Sequence, residues 1–312
     1  MRKFILATAL LGLGFTAARA QSADSLLDEL DKETKPTKKE EVNFTFKATR
    51  INNTSSVENL AKGVLDFRVC HRFGLLNQGA ENFFGLDNAT TKLALDYGIT
   101  SWLMVGVEHS TLNKENDLFA KVKLLKQRKD GTPVTISYFG NISAVRKSTL
   151  PLPTGAEWHF SNQLAYTNQI LIARKFNDRF SLQIMPTLVH YNLVDSSKFS
   201  NNTLALGIGG RIKLSRRVAI TGEYYYRLTN SDMFVIGSTA KTYNALALGV
   251  DIETGGHVFQ LMFSNSFTNT ERVIIGQTSD SWSDGGIHFG FNISRVFTVV
   301  KPKEFRGKEG KW

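Results

Sequence analysis

One cysteine and six prolines in 312 residues leave little room for two kinds of protein. Cys70 has no partner for an internal disulfide, so no covalent framework staples a small exported scaffold. The scarcity of proline excludes a fibrous or proline-rich chain. After residue 20 there is no apolar run of about 18 residues, which excludes a transmembrane helix. There is also no dense Lys/Arg stripe interleaved with aromatics, so no nucleic-acid partner is expected. No Gly-x-Ser-x-Gly elbow occurs, and none of the six histidines pairs with another ligand type at recognised metal spacing. A Ser/His/acid set assembled across strands is a matter of geometry that spacing does not reveal. The expectation is a non-enzymatic protein with no cofactor and no metal.

What is present begins with an export signature. Arg2 and Lys3 precede an apolar stretch from Phe4 to Ala18, and Ala18-Arg19-Ala20 fits a small-x-small cleavage site. Residues 1–20 therefore read as a signal peptide cleaved after Ala20. Loss of Arg2, Lys3 and Arg19 lowers the formal charge from +10 to +7. Residues 21–42 are charged and small polar residues broken by Leu26, Leu27, Leu30 and Pro36. They read as a solvated periplasmic tether, with a docking peptide at the membrane surface as the alternative.

From residue 43 the dominant signal is apolar/polar alternation with period two, the spacing of strands. In Val64 to Phe73, Leu65, Phe67, Val69 and Phe73 share one face, and Asp66, Arg68, Cys70 and Arg72 the other. Thr203 to Leu214 repeats this, with Leu204, Leu206, Ile208, Ile212 and Leu214 opposite Ala205, Gly207, Gly209, Arg211 and Lys213. The Gly207-Ile-Gly209-Gly210 run resembles a fragment of a phosphate-binding loop but lies inside this strand. Its expected role is to relieve crowding on the lumen wall.

A soluble sandwich also alternates, but these segments are long enough to cross a bilayer at a tilt. They also carry charge in mid-strand on the polar face, which suits a wet or ion-paired interior better than a dry sandwich core. Tyr97, Trp102, Tyr138, Tyr166, Tyr191, Tyr224 and Tyr243 fall near strand ends, where interfacial girdles belong. Connections alternate between short turns, near 98–101, 128–132, 177–179, 215–217 and 254–256, and longer polar stretches.

Twelve strands are predicted, near 63–73, 91–98, 101–109, 117–127, 133–145, 160–175, 179–191, 202–214, 217–228, 242–253, 257–267 and 286–297. The fold class is all-β: a transmembrane antiparallel up-and-down β-barrel over 63–297, with short periplasmic turns and long outer loops. Phe44 to Arg50 also alternates, but a thirteenth strand puts the short turns on the wrong side. Residues 43–62 are therefore read as periplasmic or inserted in the lumen, with fourteen strands as the alternative.

The words FKATR (46–50), VLDFRVCHRFG (64–74), FFGLD (83–87), LDYGITSWLMVGVEHS (95–110) and KVKLLKQ (121–127) carry a family likeness. They resemble an uncharacterised β-barrel family of Bacteroidota-type outer membranes, a domain of unknown function. The resemblance runs through nearly all of the mature chain. It implies a barrel in the outer membrane of a Gram-negative bacterium and brings no catalytic residues. Arg295-Val296-Phe297 resembles the aromatic-ended signal read by barrel-insertion machinery, and residues 298–312 form a basic tail.

The candidate lumen-lining residues are Asp66, Arg68, Arg72, Lys121, Lys123, Arg211, Lys213, Glu223 and Arg227. In a water-filled lumen their basic excess favours anions. Paired across the barrel, they seal it as an ionic core. The expected function is a passive channel or transporter for small hydrophilic solutes, with anions as the narrower reading. The alternative is a plugged barrel that presents its outer loops to a partner. Expected partners are outer-membrane lipid, the insertion machinery during biogenesis and a small solute; the sequence does not address oligomeric state.

Overall fold

A computed structural model describes residues 40–149, 157–194, 200–229 and 241–300. Residues 1–20, read above as a signal peptide, all but the end of the polar segment 21–42 and most of the basic tail lie outside the described residues. Twelve antiparallel strands close into a single barrel. In chain order they are β1 (Val64–Leu75), β2 (Ala89–Gly98), β3 (Leu103–Ser110), β4 (Asn116–Leu125), β5 (Thr135–Ala144), β6 (Leu164–Lys175), β7 (Phe180–Tyr191), β8 (Asn202–Lys213), β9 (Val218–Arg227), β10 (Leu246–Thr254), β11 (His257–Ser264) and β12 (His288–Thr298). Each strand pairs with its sequence neighbours, and β1 joins β12 in a register running from Val64↔Thr298 to Leu75↔His288. Among the described residues no helix is long and apolar enough to cross a membrane.

Alternation sets which side of the sheet each residue takes. On β8, Leu204, Leu206, Ile208 and Ile212 are 44–49% exposed, while Thr203, Ala205 and Arg211 between them are buried. The same holds around the cylinder, for example at Leu93, Leu95, Leu118, Ile184, Leu248 and Phe263. An apolar band this continuous far exceeds the patches that soluble monomers show to water, and acyl chains are the solvent that suits it. Closure leaves no unpaired edge within that solvent.

Connections 99–102, 126–134, 176–179, 214–217 and 255–256 lie at one end of the barrel, and the others, all but 111–115 longer than these, at the other. The tightest is the two-residue turn Gly255-Gly256, where Gly256 has a φ of 151° that a side chain rarely permits.

β5 and β6 are shorter than the alternation predicts, β6 beginning at Leu164 rather than near 160, and so are two strands farther on. β10 begins at Leu246 rather than near 242, and β11 ends at Ser264 rather than near 267. For this second pair the cause is Asn265. Its Oδ1 takes the Leu246 N–H (2.8 Å) and its Nδ2 donates to the Asn244 carbonyl (2.9 Å), so a side chain replaces the ladder. The chain then turns into the lumen. Phe44 to Arg50 forms no strand, in line with the twelve-strand reading, and the fourteen-strand alternative is excluded. One further expectation needs correction. Tyr191 leaves the girdle: it is buried and faces inward, with its hydroxyl donating to the Arg272 carbonyl at 2.6 Å.

Candidate functional site

The segment preceding β1 turns into the cylinder. At the short-turn end the Val42 N–H donates to the Gln127 carbonyl (2.9 Å), and Lys126 pairs with Glu41 (2.6 Å). The chain reverses between Arg50 and Ser55, which form an antiparallel bridge closed by an Ile51 N–H to Thr54 carbonyl bond (2.9 Å). It returns to the same end, where the Gly63 N–H reaches the Gly98 carbonyl (2.8 Å). Residues 49–57 are all buried. They form the deep part of a re-entrant hairpin.

That hairpin has little regular structure of its own, so its main-chain groups go to side chains of the wall. Gln183 accepts from the Val57 N–H (2.7 Å) and donates to the Ser55 carbonyl (2.9 Å). Glu223 accepts from the N–H groups of Asn53 (2.7 Å) and Thr54 (3.3 Å). Gln260 donates to the Ile51 carbonyl (2.8 Å) and Asn292 to that of Asn52 (2.8 Å). Lys121 reaches the Ser56 (2.9 Å) and Thr49 (3.3 Å) carbonyls. Buried main-chain groups demand partners, and here the barrel supplies them.

A second insert comes from the long-loop end. The β11–β12 connection, 265–287, folds inward and carries the short helix α1 (Glu271–Gly276), most of which is buried. Arg272 makes a two-pronged pair with Glu115, at 2.7 Å through Nε and 2.6 Å through Nη2. Burial acts against the charge of Arg272. The Glu115 carboxylate more than compensates and holds its pKa above the usual arginine value. Thr90 Oγ1 donates to the Phe267 carbonyl (2.8 Å), and Lys92 Nζ to that of Asn269 (2.9 Å).

The two inserts meet in an ion-pair network. Arg50 at the hairpin tip pairs with Glu271 of α1 and with Glu108 of β3, the latter at 2.5 Å. Glu108 is also paired with Lys92 and with Arg68 (3.3 Å), and Arg68 with Asp96 (3.0 Å). Asp117 lies 3.5 Å from Lys92 and accepts from Asn141 (3.3 Å) and Ser143. The Arg50 guanidinium stands over the Phe119 and Phe139 rings, 5.5 and 5.8 Å from their centroids. On the other side of the hairpin Phe46, Ile51 and Val57 join Leu171, Met185 and Tyr225 in one apolar cluster, which Ile274 and Ile275 of α1 enter as well. Gly209 on β8 leaves the space that Ile51 fills, and Gly207 that of Tyr225. Among the described residues no group of three His, Cys, Asp or Glu is placed to hold a metal ion.

Of the sequence candidates, Asp66, Arg68, Arg72, Lys121, Arg211 and Glu223 are buried on the inner face. Asp66 accepts from Ser294 (2.5 Å) and pairs with Arg68 (3.3 Å). Arg72 donates to Asn53 (2.7 Å) and Asn292 (3.0 Å). Arg211 pairs with Glu253 (3.0 Å) near the short-turn end, and Arg227 bonds Thr242 and the Gly276 carbonyl (3.4 Å). Lys123 is 3.9 Å from Glu58, and Lys213 is half-buried at the end of β8. They do not form one site. Arg68, Arg72, Lys121 and Glu223 engage the hairpin and its network, whereas Arg211, Lys213 and Lys123 belong to the mouth.

The sequence reading missed Lys92, Asp96, Glu108 and Asp117, although they alternate with Leu93, Leu95, Val107 and Leu118 in the same pattern. Extending the inward register through β2, β3 and β4 finds them. Arg50, Glu115, Glu271 and Arg272 lie outside any strand, and no local spacing marks them.

Comparison with curated proteins gives no match. Among solved structures, the outer membrane channel from Pseudomonas putida F1 is 11% identical, with a TM-score of 0.48 over 77% of this chain and 98% of that one. The KdgM porin is 9% identical with a TM-score of 0.43, covering 76% and 99%. The outer membrane phospholipase A from Escherichia coli is 11% identical with a TM-score of 0.37, covering 81% and 95%. At such identities and scores these are likenesses between barrels, and they assign no activity here. A model of the family described as membrane bound beta barrel domain (DUF5777) matches residues 46–297, from the buried hairpin through the last strand, and the chain belongs to that family.

Proposed function

We propose that the protein is an outer-membrane channel for small hydrophilic solutes, passive and non-catalytic, held shut by its own N-terminal hairpin. The observation that carries this reading is the chemistry of the wall behind the hairpin. Lys121, Gln183, Glu223, Gln260, Arg72 and Asn292 are buried beneath the hairpin and hydrogen-bonded to it. With the hairpin withdrawn they would face the lumen as a polar lining. Stability alone does not call for such a lining, since a packed apolar core often replaces buried ions without loss. The basic excess seen in the sequence is offset on the inner face by Asp66, Asp96, Glu108, Asp117, Glu223 and Asp251, so a preference for anions is not part of the proposal.

The rival reading is a permanently plugged barrel that offers its outer loops to a partner. The apolar cluster around Phe46, Ile51 and Val57 favours it, because such packing suits a fixed core. Planar-bilayer recordings separate the two. The intact chain is expected to show brief opening events, and a chain lacking residues 43–62 to conduct steadily. An intact chain that never opens while the deletion variant conducts would establish the permanently plugged barrel instead, and a deletion variant that keeps its heat-modifiable migration in detergent gels yet passes no current would remove the hairpin as the gate.

A further inference from the structure

The hairpin is bound the way a separate peptide is bound. A segment built as a fixed stopper usually satisfies its own main chain through a helix or a sheet. Here residues 49–57 make two internal main-chain bonds, Ile51 N–H to the Thr54 carbonyl and Ser56 N–H to the Thr49 carbonyl. Most of their other main-chain bonds go to the wall. Gln183 engages one peptide donor and one peptide acceptor with the two atoms of its amide, as a neighbouring strand would. Glu223 takes two consecutive N–H groups. Gln260 and Asn292 donate to consecutive carbonyls, and Lys121 to two more on either arm of the turn.

These contacts read a main chain, which offers N–H donors and C=O acceptors in alternation. Two side-chain subsites accompany them. Glu108 receives the Arg50 guanidinium, and the space over Gly209 receives Ile51.

We propose that, with the hairpin withdrawn, this part of the inner wall is a binding site for short peptides carrying a cationic residue next to an aliphatic one. The hairpin is then an internal competitor occupying the site. This rests on the channel reading and adds its solute class.

The test keeps the full-length chain. Ile51→Asp unseats the hairpin from its apolar slot without touching the wall, and Val57→Asp does so from farther along the same hairpin should the first variant retain its seat. Protease access to residues 43–62 reports the unseating, and heat-modifiable migration reports an intact barrel. The probe is a fluorescent, end-blocked peptide with the sequence of residues 49–57, and maltohexaose serves as a neutral sugar comparator. Expected is saturable peptide binding to the unseated variant, at least tenfold weaker in the unsubstituted protein. Adding Gln183→Leu should weaken it at least fivefold again, and maltohexaose should not compete. No saturable binding by an unseated, folded barrel overturns the peptide assignment. So does binding indifferent to Gln183→Leu, or competition by maltohexaose at equal concentration. Conductance of the same variant is read separately: current without peptide binding leaves the channel standing and removes only its solute class.

Discussion

The inner wall divides into two unlike arcs. Across β1 to β4, Asp66, Arg68, Arg72, Lys92, Asp96, Glu108, Asp117 and Lys121 are all buried. Across β5 to β7 no buried residue is charged; the wall there is Ser137, Phe139, Gln169, Leu171, Gln183, Met185 and Val189. The hairpin between them is two-faced to match. It gives Arg50 to the first arc and shares an apolar cluster with the second. Neither arc alone fixes its orientation. The apolar arc supplies adhesion, and the ionic arc penalises any seating that leaves a charge without its partner.

The sharpest way to break this contrast is Glu108→Ala, which strands Arg50, Arg68 and Lys92 around a missing carboxylate. A loss of about 3–5 kcal/mol is expected, read by urea titration of the detergent-folded barrel. A loss below about 1 kcal/mol would mean that water reaches the ionic arc. On the opposite arc, Leu171→Ala opens a cavity in the lumen cluster and is expected to cost about 2–4 kcal/mol in the same titration. Its effect should be insensitive to salt. The smallest change is expected at the hairpin root, where Lys126 and Glu41 are each about one-third exposed. Lys126→Ala should lower stability by less than about 1 kcal/mol, and 0.5 M salt, roughly, should erase even that.

The two arcs also differed in how plainly the sequence announced them. In β1 and β9 a charge faces inward beside an apolar neighbour facing out, so period two is unmistakable at Asp66-Phe67-Arg68 or Ile220-Thr221-Gly222-Glu223. In β6 the inward Leu171 sits between outward Ile170 and Ile172, and an unbroken apolar run hides which side is which. The strand count and the barrel closure were readable because lipid imposes the same outward pattern on every strand. The closing of the lumen was not, because Arg50 and Glu271 are 221 positions apart, both outside the strands, and meet only after the cylinder forms. The alternation of Phe44 to Arg50 imitated a strand for a related reason. A hairpin lying between an apolar and an ionic surface also needs two kinds of side chain.

A cylinder rolled from a sheet has one weld that chain neighbours cannot make, between its first and last strands. The Arg72 guanidinium of β1 holds both Asn53 of the hairpin and Asn292 of β12, 220 positions downstream, and the Asn292 amide holds the Asn52 carbonyl. The stopper is thus clipped across the weld itself, and it arrives on the same stretch of chain as the first strand. Drawing it out would remove that clasp and leave the β1–β12 ladder, from Val64↔Thr298 to Leu75↔His288, to hold the cylinder closed by itself.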